Sequence, residues 1–251
     1  MNSLERTLVT KSGYDHGWEV VVEATAQRVR LASALHRAQV EIAKGQGDGA
    51  RWQVRVANAA LDRELRRSLG RAAGEAQSVS TERELALLLH EAARLARALP
   101  DAPEARFARA VALELTERKP TSTEVERLVK QRVGQDIFRE SLMDYWGGGC
   151  SVTGIAVPEL LRASHAKAWA ECATDAERLN VYNGFLLCAH IDALFDRHLM
   201  TFTDDGTGIF APAINADLRG CLGLTGEVKL RWLAPEHLEF LAWHRLRCEW
   251  M

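Results

Sequence analysis

The side chains best suited to hydrolytic chemistry are concentrated in residues 161–197, which read LRASHAKAWAECATDAERLNVYNGFLLCAHIDALFDR. His165 closes one apolar run, Asn183 opens a second, and Asp192 and Asp196 follow one helical turn apart. A neutral imidazole can accept a proton from water near pH 7, and carboxylates bind hard divalent cations. These residue types together predict a metal-dependent phosphodiesterase site.

The apolar pattern around these residues predicts the elements that position them. Residues 160–163 form a short apolar run that leads to His165, and residues 184–188 form a second run. Apolar residues then recur at helical spacing. The predicted order is strand, loop, strand and helix, with Asp192 and Asp196 on one face of the helix.

Five short motifs in this half of the chain resemble those of the HNH endonucleases of the ββα-metal fold. In chain order they are Arg132-Val133-Gly134-Gln135 with Phe138-Arg139, Cys150 to Gly154, Leu160 to Trp169, Asn183 to Leu187, and Asp192 to Asp196. The resemblance covers about residues 124–222. Five motifs in the right order are far more specific than a lone histidine or an Asn-Gly pair.

The resemblance implies a role for each matched residue of the site. His165 would be the general base that deprotonates the attacking water, and Asn183 would brace the loop and orient that histidine. Asp192 matches the third motif position, which supplies a metal ligand from the helix. Asp196 is a second candidate ligand, with capping of the helix or an ion pair with an arginine as the alternatives.

Ser164 stands where many relatives carry an acidic residue or a histidine as a further metal ligand, and it is included in the predicted ligand set. Carboxylate ligands favour Mg²⁺ or Mn²⁺, with Zn²⁺ or Ni²⁺ as alternatives. Lys167, Arg197 and Arg162 are the predicted nucleic-acid contacts. The alternative interpretation of all three residues is ordinary surface charge. For Arg197 and Arg162, an ion pair with Asp196 is a further alternative.

The other histidines fall outside the predicted ligand set. His190 flanks the helix away from the motif positions, and His198 stands where the family usually has glycine, with a phosphate contact as an alternative role. Those that show no ligand spacing are His16, His36, His90, His237 and His244.

Outside the site, the patterns predict an α+β fold. Apolar residues that alternate through 18–56 predict a small antiparallel sheet, with a turn at the GQGDG cluster of residues 45–49. Helices are predicted after it, and a hairpin at 199–212, a strand at 228–233 and a terminal helix at 235–248 follow the site. The predicted fold class is therefore an N-terminal antiparallel sheet with helices and a C-terminal ββα-metal nuclease domain with flanking helices and a hairpin.

The predicted organisation has three parts. Residues 1–75 would form an α+β unit that recognises a target or partner, residues 76–120 a helical connector, and residues 121–251 the nuclease domain. Five widely spaced cysteines without a C-x-x-C pair predict buried or reduced thiols. Nothing near the start resembles a signal sequence, so a cytoplasmic location is predicted. No apolar run approaches the roughly 18 to 20 residues that cross a bilayer, so no membrane partner is predicted.

The composition is ordinary for a globular protein, with 47% hydrophobic and 26% charged residues among 251. With a net charge of −2, a nucleic-acid partner would need a local basic surface. The predicted function is a metal-dependent HNH endonuclease that hydrolyses DNA, as a restriction or defence nuclease. The alternatives are a non-catalytic nucleic-acid-binding module and a toxin or effector nuclease. Because a double-strand cut generally needs two sites, a homodimer is compatible with this function.

Overall fold

The chain forms two compact units, Met1–Ala102 and Pro103–Met251. The computed structural model describes residues 1–45, 49–71, 77–118 and 122–251. The division between the units falls inside the predicted connector. The assignment of recognition, connector and nuclease roles to the three predicted parts stays a prediction.

The first unit contains an antiparallel sheet whose five strands pair in chain order. Its elements are α1 (Ser3–Asp15), β1 (Val20–Ala24), β2 (Arg28–Ala32), β3 (Gln39–Lys44), β4 (Trp52–Val56), α2 (Ala59–Ser68), β5 (Gln77–Val79) and α3 (Glu82–Ala98). Alternation in β2 and β3 buries Val29, Leu31, Val40 and Ile42, and α1 contacts β2 while α2 contacts β4. The sheet predicted over 18–56 is confirmed, whereas residues 46–48 of the predicted turn lie outside the described residues.

The second unit carries the predicted site. Its elements are α4 (Asp101–Arg118, which begins two residues before the division), α5 (Thr123–Tyr145), β6 (Leu161–His165), α6 (Asp175–Leu179), β7 (Gly184–Cys188), α7 (Ala189–Asp196), β8 (Met200–Phe202), β9 (Gly208–Phe210), α8 (Ala216–Cys221) and α9 (Leu238–Arg245).

Strands β6 and β7 form an antiparallel hairpin that runs from the pair Leu161–Cys188 to the pair His165–Gly184. Helix α7 follows β7 without a break and packs against β6. The predicted strand, loop, strand and helix are thus observed, and the α+β fold class is confirmed.

Of two elements predicted near the C-terminus, the strand is wrong and the helix is present but shorter than predicted. Residues 228–233 form a single bridge, Thr207 to Lys229, instead of a strand. The backbone N–H groups of this segment point to different neighbours, since Leu230 donates to Gly206 and Arg231 donates to Ser151. The predicted helix at 235–248 is a 3₁₀ turn followed by α9, which ends at Arg245.

An aromatic core supports the hairpin and α7. Tyr145 and Trp146 at the end of α5, Phe185 of β7 and Phe195 of α7 are fully buried. The Phe185 and Phe195 rings meet edge to face with centroids 5.6 Å apart, and the ring of Trp146 stacks on that of Trp232 at 4.2 Å. Large buried rings contribute strongly to core stability, so this cluster fixes the elements that carry the site.

Within the described ranges, no helix combines the length and the apolar character that crossing a bilayer requires.

Candidate functional site

His165 is the last residue of β6, and its imidazole is held between α5 and the loop that follows the strand. The ring of Phe138 stacks on it with centroids 3.7 Å apart and planes inclined by 13°. Its Nε2 lies 2.9 Å from the carbonyl oxygen of Arg178. A carbonyl can only accept, so Nε2 carries the proton of the neutral ring and Nδ1 holds the free lone pair. Among the described residues, Nδ1 has no hydrogen-bond partner.

The surroundings of His165 favour its neutral form. Burial lowers the pKa of His165 to about 4, although the hydrogen bond to the Arg178 carbonyl acts in the opposite direction. The imidazole is therefore uncharged at neutral pH. A neutral ring with one fixed N–H and one free nitrogen is the form that a general base requires.

Helix α5 positions the hairpin and the loop through the residues of the first motif. A Cβ on Gly134 would lie 2.1 Å from Cη2 of Trp169, so the glycine is needed for this ring to pack on the helix. Arg139 donates from Nη1 to the carbonyl of Leu161 at 2.7 Å and from Nη2 to that of Pro158 at 2.8 Å. The helix thereby fixes both the start of β6 and the loop beyond it.

Asn183 is fully buried and braces the loop after His165. Its Oδ1 accepts from the backbone N–H of Lys167 at 2.8 Å, and its Nδ2 donates to the carbonyls of Lys167 at 3.1 Å and Glu177 at 3.2 Å. The backbone carbonyl of Asn183 also accepts from the N–H of Ala166 at 3.0 Å. These contacts are what the bracing role requires, and the effect of Asn183 on a reaction stays a prediction.

The glycine after Asn183 allows the two strands to approach. A Cβ on Gly184 would lie 2.4 Å from the carbonyl oxygen of Ser164 and 2.7 Å from Cζ of Phe138. Both distances are shorter than any real Cβ contact. The Asn-Gly pair therefore combines a loop brace with the close packing of β7 on β6 and α5.

Asp192 and Asp196 both lie on α7, as predicted, in different environments. Asp192 is half-buried and Asp196 is exposed. Burial raises the pKa of Asp192 and the neighbouring charge of Asp196 raises it further, whereas the Ser164 hydroxyl and Arg162 lower it. The predicted alternative of an ion pair between Asp196 and Arg197 or Arg162 is not found in the described part of the chain.

Ser164 offers a buried oxygen beside Asp192. The hydroxyl is close enough to lower the pKa of Asp192, yet its Oγ is buried and has no partner in hydrogen-bonding geometry. A buried hydroxyl oxygen beside Asp192, whose carboxylate also experiences the charge of Asp196, suits a hard divalent cation, which takes oxygen ligands. Ser164, Asp192 and Asp196 therefore fit the predicted metal. Over the described residues, no hydrogen bond or ion pair joins His165 to Asp192.

The three predicted nucleic-acid contacts differ in how far they are engaged. Lys167 forms an ion pair with Glu177, and its Nζ lies 4.7 Å from the centroid of the Trp243 ring. Arg162 donates from Nη1 to the carbonyls of Glu159 at 3.0 Å and Leu161 at 2.9 Å. Lys167 thus has a structural role in the loop. In Arg162, Nη1 is engaged by these carbonyls, so only the other guanidinium nitrogens are available for further contacts.

Arg197 is the remaining predicted contact. Its side chain is exposed at the end of α7, and within the described ranges it forms no hydrogen bond or ion pair. It is therefore the cation of this set that is best placed to meet a phosphate.

Arg178 is a residue that the sequence did not single out. Its carbonyl holds His165, and its guanidinium donates to the carbonyls of Cys172 at 2.6 Å and Trp169 at 3.1 Å. Arg178 also borders a cleft of about 660 Å³ between α4, α5 and the loop. Every residue type has a backbone carbonyl, so the sequence could not indicate that the carbonyl of Arg178 accepts from His165.

Residues 150–203 match a family model described as HNH endonuclease. The matched segment contains β6, β7, α7 and β8, together with His165, Asn183, Asp192 and Asp196. The resemblance inferred from the motifs is confirmed for this segment. No curated protein matches the chain.

Proposed function

From the HNH endonuclease character of residues 150–203, we propose that the protein is a metal-dependent endonuclease that hydrolyses DNA phosphodiester bonds. The observation that carries the proposal is the state of His165. Its Nε2–H is fixed on a carbonyl and its Nδ1 is unpartnered among the described residues, while the preceding residue, Ser164, places a buried hydroxyl beside Asp192.

Each residue of the site has a distinct task in the proposed reaction. Nδ1 of His165 accepts the proton of the attacking water, and the Arg178 carbonyl keeps the ring in the tautomer that allows it. Asn183 holds the loop so that the ring stays on Phe138. A divalent cation held by Ser164, Asp192 and Asp196 would stabilise the charge that develops on the phosphate and the leaving oxygen.

The wider assignment is part of the same proposal. A net charge of −2 gives no general attraction to DNA, so binding would depend on local cations such as Arg197. We assign target or partner recognition to the N-terminal part of the chain and a restriction or defence role to the whole. The free thiols are consistent with a cytoplasmic location, and two copies would be needed for a double-strand cut.

Plasmid nicking tests the proposal directly. Supercoiled plasmid is incubated with the purified protein and Mg²⁺ or Mn²⁺, beside His165→Ala and Asp192→Asn. We expect His165→Ala to lower the nicking rate by about 10²-fold or more, the usual effect of removing a general base. Asp192→Asn conserves shape but removes a ligand charge, so it should raise the metal concentration required. His190→Ala, half-buried on the same helix, is the control and should nick as wild type does.

Each alternative function predicts a different outcome. Equal nicking by wild type and His165→Ala, or no nicking with any metal, would overturn the proposal. Ser164 in place of an acidic ligand is the feature that favours a non-catalytic module, which would bind DNA in a salt-sensitive manner without cutting it. Severe growth inhibition on expression, relieved by His165→Ala, would indicate a toxin or effector nuclease.

A further inference from the structure

A second group of metal-ligating side chains lies at the other end of α7 from the hairpin. His198 follows the helix, and His244 and Cys248 come from α9 and the turn after it. One nitrogen from each histidine and the Cys248 Sγ all lie within 4.8 Å of one another. His198 Nδ1 is 3.1 Å from His244 Nε2, and Cys248 Sγ is 4.0 Å from His244 Nδ1.

The 3.1 Å and 4.0 Å distances involve different nitrogens of His244, so only one of them applies to a single ion, and 4.8 Å bounds the separations of the three ligand atoms. Zinc bonds of about 2.0 to 2.1 Å to nitrogen and about 2.3 Å to sulfur place neighbouring ligand atoms about 3.3 to 3.6 Å apart. The observed cluster therefore needs adjustments of no more than about 1.5 Å, which side-chain rotation can supply. A mixed nitrogen and thiolate set selects zinc over the hard cations that carboxylates favour.

His244 is already held in place for ligation. It is buried, and its ring stacks on that of Phe195 with centroids 3.8 Å apart and planes inclined by 4°. Its Nδ1 lies 2.9 Å from Oγ1 of Thr201 and its Nε2 lies 2.9 Å from the carbonyl oxygen of Phe195. The nitrogen that binds a metal would give up its present hydrogen bond, and the other nitrogen would keep a partner that orients the ring, as is usual for histidine ligands.

His198 occupies a backbone conformation that disfavours it. Its φ is 55°, and no other non-glycine residue in the described part of the chain has a positive φ. A side chain in this left-handed region generally costs about 1 kcal/mol or more. Glycine would remove that cost, so the imidazole at this position is expected to have a use.

We propose that His198, His244 and Cys248 bind one zinc ion at a site separate from the cation site of Ser164, Asp192 and Asp196. A water molecule would fill the fourth position. The zinc would tie the C-terminal turn to the end of α7, the helix that carries both aspartates of the proposed active site. Zinc binding at this cluster does not depend on the proposed nuclease activity.

Metal analysis of the full chain tests the site. The protein is stripped with a chelator, incubated with Zn²⁺, desalted and measured by mass spectrometry. We expect about one zinc ion per chain in wild type, none in His198→Gly and Cys248→Ser, and full loading in Cys221→Ser. The last is the matched control, since Cys221 is an exposed thiol outside the cluster. His198→Gly relieves the backbone strain, so it should fold even where Cys248→Ser does not.

Cobalt and a second variant separate this site from the active site. Loading with Co²⁺ should give a thiolate-to-metal charge-transfer band that Cys221→Ser retains and Cys248→Ser loses. Asp192→Asn should keep its zinc while nicking is impaired. The proposal is overturned if wild type retains no zinc, if His198→Gly and Cys248→Ser load as wild type does, or if Asp192→Asn loses the zinc.

Discussion

The surroundings of His165 suit it to the proposed role of general base. A histidine with the usual pKa of about 6.5 would be partly protonated at neutral pH. Burial of His165 lowers its pKa to about 4, and the Arg178 carbonyl fixes which nitrogen carries the proton. The ring becomes a weaker base but is always available as one. The stacking on Phe138 helps to bury the ring, and burial keeps it unprotonated and able to accept a proton at neutral pH.

The same shift makes stability depend on pH. The pKa of His165 is about 4 in the folded protein, against the ordinary histidine value of 6.5 that applies to the unfolded chain. Between these values the unfolded chain therefore binds a proton that the folded chain does not. The contribution of His165 to the free energy of unfolding should be fully present above pH 6.5. It should decrease as pH falls towards 4, by up to about 3 kcal/mol. Urea unfolding at several pH values measures the effect.

His165→Gln removes the titrating ring and is the comparison for that measurement. Between pH 6.5 and 4 the slope of its unfolding free energy against pH should be smaller than that of wild type by up to about one proton. Identical slopes for the two proteins would show that His165 titrates alike in the folded and unfolded states, contrary to the expectation.

At the scale of elements, α5 organises the site although it contributes no reacting group. Gly134 receives the Trp169 ring, Phe138 stacks on His165 and Arg139 holds the backbone around β6. The segment matched to the HNH endonuclease family begins only at Cys150. The contacts that hold the candidate site therefore extend at least one helix beyond the matched segment.

Gly134→Ala tests the contribution of α5. The new Cβ would meet Cη2 of Trp169 at 2.1 Å, and displacing a packed ring generally costs about 1 to 3 kcal/mol. We expect lower stability in urea unfolding and slower nicking, because Trp169 also packs edge-on against His165 with ring centroids 6.0 Å apart. Gly220→Ala is the control. A Cβ there meets nothing within 4 Å, and alanine in helix α8 should leave stability unchanged or raise it by up to about 1 kcal/mol.

Elements fixed by local pattern were predictable, and those fixed by distant partners were not. The hairpin and α7 follow from alternating and helical spacing within the segments themselves. Residues 228–233 read as a strand but form backbone hydrogen bonds with two separate turns. His244 was interpreted as having no ligand spacing, and only tertiary folding brings it together with His198 and Cys248.

At the scale of the whole molecule, the candidate site belongs entirely to the second unit. Every hydrogen bond, ring contact and ion pair described for His165, Asn183, Asp192 and Lys167 joins residues of Pro103–Met251. The first unit has its own buried core, which includes Trp18, Ile42, Trp52 and Leu89. The three parts predicted from the sequence, residues 1–75, 76–120 and 121–251, were placed by composition and pattern, and their assignment stays a prediction.

This organisation predicts that a fragment of residues 101–251 folds and cuts DNA without the first unit. The fragment starts at Asp101 so that α4 is intact, and it retains the aromatic core around Trp146 and Phe185. We expect one cooperative thermal transition and metal-dependent nicking within about 10-fold of the intact chain, since catalysis depends on positions within the unit. His165→Ala in the same fragment is the control. A fragment that folds cooperatively but does not nick, beside an active intact chain, would show that the first unit is required for catalysis.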